Sequence, residues 1–175
     1  MTSGELERAY SIGQLGKEHD RRAFGCGHPS LDRYLREQAS QDAKRHVAAT
    51  FVAVPRETRV VVGYYSLSAT SLDVGDLPPE VARKLPRYRV LPATLLGRLA
   101  VDRTHQRRGL GEYLLLHALS RSLARAEQVA SYAVIVDAID EGARSFYERF
   151  EFIPLLDRPL RLYLPTASIV RRLER

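Results

Sequence analysis

Residues 94–128 constrain the fold more than any other stretch. An apolar run at 94–101 passes through a basic turn, Gln106-Arg107-Arg108-Gly109-Leu110-Gly111, directly into the longest helical period of the chain. Leu110, Leu114, His117, Ala118 and Leu123 mark one apolar side of that helix, predicted over 110–128. A second apolar strand at 132–136 is followed by a helix over about 140–150 with Asp140 as its N-cap, and then by short strands near 152–155 and 160–164. Upstream, Pro29 suits the first turn of a helix over 29–45, with Leu31, Tyr34, Leu35 and Ala39 at helical spacing. The runs 49–54 and 60–67 flank Pro55-Arg56-Glu57-Thr58 and suit an antiparallel hairpin with Tyr64 and Tyr65 mid-strand. Gly75, Pro78, Pro79, Pro86 and Pro92 allow only a short helix near 80–85, so 71–92 is the expected mobile, substrate-facing stretch. This order predicts an α/β fold with a mixed sheet. A chain of 175 residues, 45% hydrophobic, fits one domain over 1–175.

The apolar stretches stay under ten residues and the first ten residues are polar, so neither a membrane span nor a signal peptide is expected, and the chain is placed in the cytoplasm. Cys26 has no second cysteine to pair with and reads as a small packed residue. His19, His28, His46, His105 and His117 show no metal-ligand spacing. The net charge of +6 is uneven. Between Leu77 and Arg108 stand Arg83, Lys84, Arg87, Arg89, Arg98, Arg103, Arg107 and Arg108 against Glu80 and Asp102, so the whole net charge falls there. Such a block favours a polyanion, although it also fits an ordinary solvated surface.

The turn at 106–111 has the makings of an anion site. A diphosphate needs free backbone N–H groups and a positive helix end, and glycines allow the backbone to approach it. Arg107 and Arg108 add charge at the same place, while a plain tight turn into a helix would look similar.

With Gln106, Gly109 and Gly111 in this position, the chain resembles the GCN5-related N-acetyltransferases, whose Q/R-x-x-G-x-G/A motif cradles the pyrophosphate of acetyl-CoA. The resemblance implies a mixed, mostly antiparallel twisted sheet with splayed central parallel strands flanked by helices. It also implies cofactor contacts from Leu99, Ala100, Val101, Gln106, Arg107, Arg108, Gly109, Leu110 and Gly111, with the N–H groups near 99–101 polarising the thioester carbonyl. Ala143, Phe146, Tyr147 and Phe152 resemble the family's A-x-x-F-Y-x-x-x-G-F, which makes Tyr147 the acid that protonates the departing thiolate. Ala143, Phe146, Tyr147 and Phe150 equally fit a helical core stripe. Glu151 stands where the family has glycine.

Phe24-Gly25-Cys26-Gly27-His28-Pro29-Ser30-Leu31-Asp32-Arg33-Tyr34-Leu35, with Gly97-Arg98-Leu99-Ala100-Val101-Asp102, is similar to GNAT toxins of bacterial type II toxin–antitoxin modules. This match lies outside the cofactor motif. It implies an N-acetyltransferase that acetylates the α-amino group of aminoacyl-tRNA and blocks translation, with a ribbon-helix-helix antitoxin, operator DNA reached only through that partner, and a homodimer. Residues 95–101 hold no carboxylate to serve as general base. That suits an α-amine of pKa roughly 8 better than a lysine of roughly 10.4. Arg83, Lys84, Arg87, Arg89 and Arg98 would then hold the tRNA. The rival expectations are an acetyltransferase for a small amine or a protein N-terminus, and a CoA- or nucleic-acid-binding module without turnover. The identity of the aminoacyl-tRNA and the state of 168–175, short helix or frayed tail, stay open.

Overall fold

A computed structural model describes residues 1–173. From the amino terminus run α1 (Ser3–Ala9), β1 (Tyr10–Gln14), α2 (Pro29–Arg33), a π-helical turn (Tyr34–Gln38), α3 (Ala39–Lys44), β2 (Ala49–Pro55) and β3 (Gly63–Asp73). A 3-10 turn (Val74–Asp76), α4 (Pro79–Ala82), β4 (Val90–Val101), a second 3-10 turn (Arg103–His105) and α5 (Leu110–Ala126) follow. The chain continues through β5 (Ala133–Asp137), α6 (Glu141–Glu148), β6 (Ile153–Leu155), β7 (Arg158–Pro165) and α7 (Thr166–Leu173). The sheet is mixed, in the order β1-β2-β3-β4-β5-β7-β6. The β4–β5 pair is parallel and the β1–β2, β2–β3, β5–β7 and β6–β7 pairs are antiparallel. The parallel ladder runs from Ala93↔Ala133 to Leu96↔Val136, and β4 continues five residues beyond its end.

The chain forms two compact units. The first takes Met1–Ser68 and Arg98–Ala118. Its core gathers Phe24, Tyr34, Leu35, Ala39, Val52, Val61, Tyr64 and Ala100. Gly63 opens β3 where a Cβ would come within 2.8 Å of the Leu114 side chain, so the absence of a side chain lets the strand lie against α5. The second unit takes Ala69–Gly97 and the described residues from Leu119 onward. Leu72, Leu77, Ala93, Ala133, Ile135, Leu155 and Tyr163 form its core.

Several elements differ from the sequence expectations. The helix expected over 29–45 is interrupted by the π turn, where Ala39 N–H bonds to Tyr34 O. The strand expected over 60–67 starts at Gly63 and runs to Asp73, so Tyr64 and Tyr65 lie near its start rather than its middle. Val60 instead makes an isolated parallel bridge to Asp20. The strand expected from 94 begins at Val90 and includes Pro92, whose carbonyl accepts from Tyr132 N–H at 2.8 Å. The short helix near 80–85 is α4, placed slightly earlier because Pro79 takes its first turn. α1 and β1 were not anticipated. Thr2 and Glu5 close a reciprocal capping box on α1, which buries Leu6. As expected, Asp140 caps α6, accepting from Ala143 N–H at 2.8 Å. The 168–173 segment belongs to α7, and residues 174–175 of the open tail lie outside the described residues.

Candidate active site

The turn between β4 and α5 belongs to the first unit and is braced on several sides. Gln106 directs both amide protons inward, donating from Nε2 to Cys26 O and Val101 O at 2.9 Å each. Asp102 accepts from Gly25 N–H at 2.9 Å and from the Thr104 N–H and hydroxyl. Partial burial would raise the Asp102 carboxyl. The Thr104 and Gly25 hydrogen bonds outweigh it and hold the group below its ordinary value. Arg103 N–H returns a bond to Gly25 O at 2.9 Å. The Phe24–Asp32 segment, remote in sequence, therefore grips the turn before α5 in space. Its own geometry is fixed by buried Asp32, which accepts from Cys26 N–H at 2.8 Å.

Braced in this way, the backbone turns through two left-handed residues, Arg107 at φ 61° and Gly109 at φ 87°. Only glycine adopts the second without strain. Gln106, Arg107, Arg108 and Gly109 are exposed, Gly111 is half-buried and the Leu110 side chain is buried. Leu110 can thus face a ligand only through its N–H, one of the unpaired donors at the start of the 17-residue α5. Exposed cations, a left-handed turn and a long helix's N-terminus fit a diphosphate. α1 reaches the same turn, since a Cβ on Gly109 would lie 3.5 Å from Leu6 Cδ1. Burial and the nearby Arg108 charge lower the His105 pKa despite Asp102, so the imidazole is neutral at pH 7.

On the strand before the turn, Ala100 is buried and Leu99 and Val101 are half-buried. Arg98 differs from the other predicted tRNA-holding cations. It is half-buried, with its guanidinium 3.4 Å from the centroid of the buried Tyr34 ring, whose hydroxyl donates to Asp42 at 2.9 Å. Cys26 is a buried free thiol, pushed up to about 11 by burial and by Asp32, which makes it a packed residue and not a nucleophile.

In the second unit, Tyr147 sits on α6 at 6% exposure, edge-on to Phe146 and Phe152. Burial raises its phenol well above the ordinary tyrosine value, so it stays protonated at neutral pH. In the turn after the helix, Glu151 adopts φ 69° where glycine is usual, and Phe152 N–H closes back on Tyr147 O at 3.3 Å. Glu151 is further held by Arg172 at 3.3 Å. Arg83, Lys84, Arg87 and Arg89 are all exposed in this unit. Among the described residues, no cluster of three metal-binding side chains occurs and no helix is long and apolar enough to cross a membrane.

Residues 17–152 match the acetyltransferase (GNAT) family. The tRNA-acetylating toxin of Mycobacterium tuberculosis is 40% identical over 151 residues, 86% of this chain and 89% of its own. The structure of AtaT complexed with acetyl-methionyl-tRNAfMet superimposes with a TM-score of 0.87 at 29% identity, covering 94% of this chain and 99% of that one. A mutant AtaT toxin bound to the C-terminus of the antitoxin AtaR and to acetyl-CoA does so with a TM-score of 0.81 at 26% identity, covering 95% and 99%.

Proposed function

The chain belongs to the acetyltransferase (GNAT) family, and from that premise we propose that, as one domain over 1–175, it acetylates the α-amino group of aminoacyl-tRNA and so blocks translation. The turn at 106–111 is the observation that carries this function: its left-handed residues, exposed Arg107 and Arg108 and helix N-terminus match the charge and shape of a CoA diphosphate. Acetyl-CoA supplies the acetyl group as a thioester and leaves as a thiol. The N–H groups of Leu110 and Gly111 and the two arginines bind the diphosphate. Backbone N–H groups around Leu99–Val101 orient and polarise the thioester carbonyl. Tyr147 keeps its proton at neutral pH and donates it at the phenolic oxygen to the departing sulfur.

β4 carries no carboxylate that could deprotonate the acceptor. At pH 7 an α-amine of pKa roughly 8 is neutral in about one molecule in ten, and a lysine of roughly 10.4 in about one in 2,500. The α-amine is therefore the acceptor that needs no such base. Arg83, Lys84, Arg87 and Arg89 hold the tRNA phosphates. Arg98, one face on Tyr34, positions the acceptor end rather than sitting free for phosphate. The same proposal places the enzyme in the cytoplasm as a homodimer, neutralised by a ribbon-helix-helix antitoxin that carries the operator contacts.

Induction in a bacterium should arrest growth, and mass spectrometry of the tRNA pool should find acetylated aminoacyl ends. Tyr147→Phe should abolish both. Acetylation confined to small amines or protein N-termini, with aminoacyl-tRNA untouched, would sink the assignment.

A further inference from the structure

The segment joining α4 to β4 exposes more than charge. Between Arg87 and Arg89 lies Tyr88, with 65% of its surface in solvent. Among the described residues it is the one phenylalanine or tyrosine in the exposed class, while the rest lie wholly or partly in the interior. Val90, two residues on, is 48% exposed, so apolar side chains alternate with cations from Arg87 to Val90. The backbone beneath is held on both sides. Tyr88 N–H bonds to Pro86 O at 2.7 Å in a tight turn centred on Arg87, and Arg89 O accepts from Val74 N–H at 3.0 Å. Pro86 fixes its own φ. These two bonds hold the backbone on either side of the ring, in a stretch whose breakers predict mobility.

An exposed aromatic with an arginine on either side in sequence has a specific complement. Its π-face accepts any unstacked base, and cations on either side meet the phosphates that flank that base. A duplex cannot supply such a base, because its bases are already stacked and paired. An acidic peptide would satisfy the arginines and leave the ring uncovered. We propose that Tyr88 is a stacking platform for an unpaired base at the single-stranded 3′ end of the RNA, with Arg83, Lys84, Arg87 and Arg89 seating the adjoining phosphates. The identity of that RNA as tRNA rests on the function proposed above, but the stacking does not require acetyl transfer.

The chain contains no tryptophan, so Tyr88→Trp creates a single fluorescent reporter at the site. The probe is uncharged tRNA, compared with the same tRNA trimmed of its unpaired 3′ nucleotides. Intact tRNA should quench the reporter and trimmed tRNA should leave it bright. Tyr88→Ala should weaken binding of intact tRNA about tenfold, the scale of one base–aromatic stack, without changing the slope of log Kd against log salt. Tyr88→Phe should bind as wild type, and Arg87→Ala should flatten the slope by about one. Equal quenching by both tRNAs would overturn the proposal, as would unchanged binding by Tyr88→Ala. Conversion of a dimer to a monomer by Tyr88→Ala in sedimentation would show that a second copy of the chain covers the ring instead. Because uncharged tRNA is the probe, failure of acetyl transfer and failure of stacking are separate results.

Discussion

Gln106 offers the most direct test of the cofactor role proposed for the turn before α5. Its amide makes two hydrogen bonds at 2.9 Å, to Cys26 O and Val101 O, tying the turn both to the strand behind it and to a segment 80 residues away. Each bond contributes about 0.5–1.5 kcal/mol net, so together they favour the braced turn by about 2 kcal/mol. At about 1.4 kcal/mol per decade, removing them should weaken acetyl-CoA binding by about thirtyfold. Gln106→Ala tests the loss. Gln106→Glu is sharper, because it keeps the shape but points a carboxylate oxygen, in place of Nε2, at two carbonyl oxygens, replacing attraction with repulsion. Isothermal titration with acetyl-CoA should therefore rank wild type above Gln106→Ala and Gln106→Ala above Gln106→Glu. The loss should be confined to affinity, with turnover at saturating acetyl-CoA within a few-fold of wild type. If Gln106→Glu bound acetyl-CoA as tightly as wild type, the amide would not be what holds the turn.

Three other outcomes follow from the same structure. Glu151 occupies a left-handed position, so Glu151→Gly should relieve about 1 kcal/mol of backbone strain, partly offset by loss of the exposed pair with Arg172; thermal melts should show a small rise in Tm. As the proposed acid, Tyr147 would act in its protonated form, and burial raises its pKa, so that form persists as pH rises. The rate of acetyl transfer should climb with deprotonation of the acceptor amine and show no tyrosine-dependent fall up to about pH 9, and Tyr147→Phe should lower kcat by about a hundredfold or more at every pH. Cys26, with its thiol raised to about 11, should react with iodoacetamide at pH 7 at least about a hundredfold more slowly than an ordinary cysteine of pKa roughly 8.5, as followed by intact-protein mass.

What could be read from the sequence was local. The strand, turn and helix around Gln106–Gly111 announced themselves through composition and period, and Asp140 marked the start of α6 by its capping chemistry. α1 carried a capping box, but seven residues burying one leucine give little hydrophobic period to detect. The π turn left no mark, because Tyr34 and Leu35 fit helical spacing whether or not one residue is inserted. Pro92 argued for a strand boundary, yet β4 runs through it. The bonds that tie Gly25 and Cys26 to Asp102 and Gln106, and the stacking of Arg98 on Tyr34, join residues more than sixty positions apart. No periodicity reports such contacts. By resemblance Arg98 is one more cation for tRNA; its half-burial and its ring partner separate it from Arg87.

The dependence of the turn before α5 on Gly25, Cys26 and Asp32 bears on how a protein with the proposed activity escapes in a genetic screen. Survivors of induced expression should carry lesions in two distant stretches of the coding sequence, one around codons 106–111 and another around codons 25–32. A substitution in the second stretch that also repairs one in the first would reveal them as a single inherited unit.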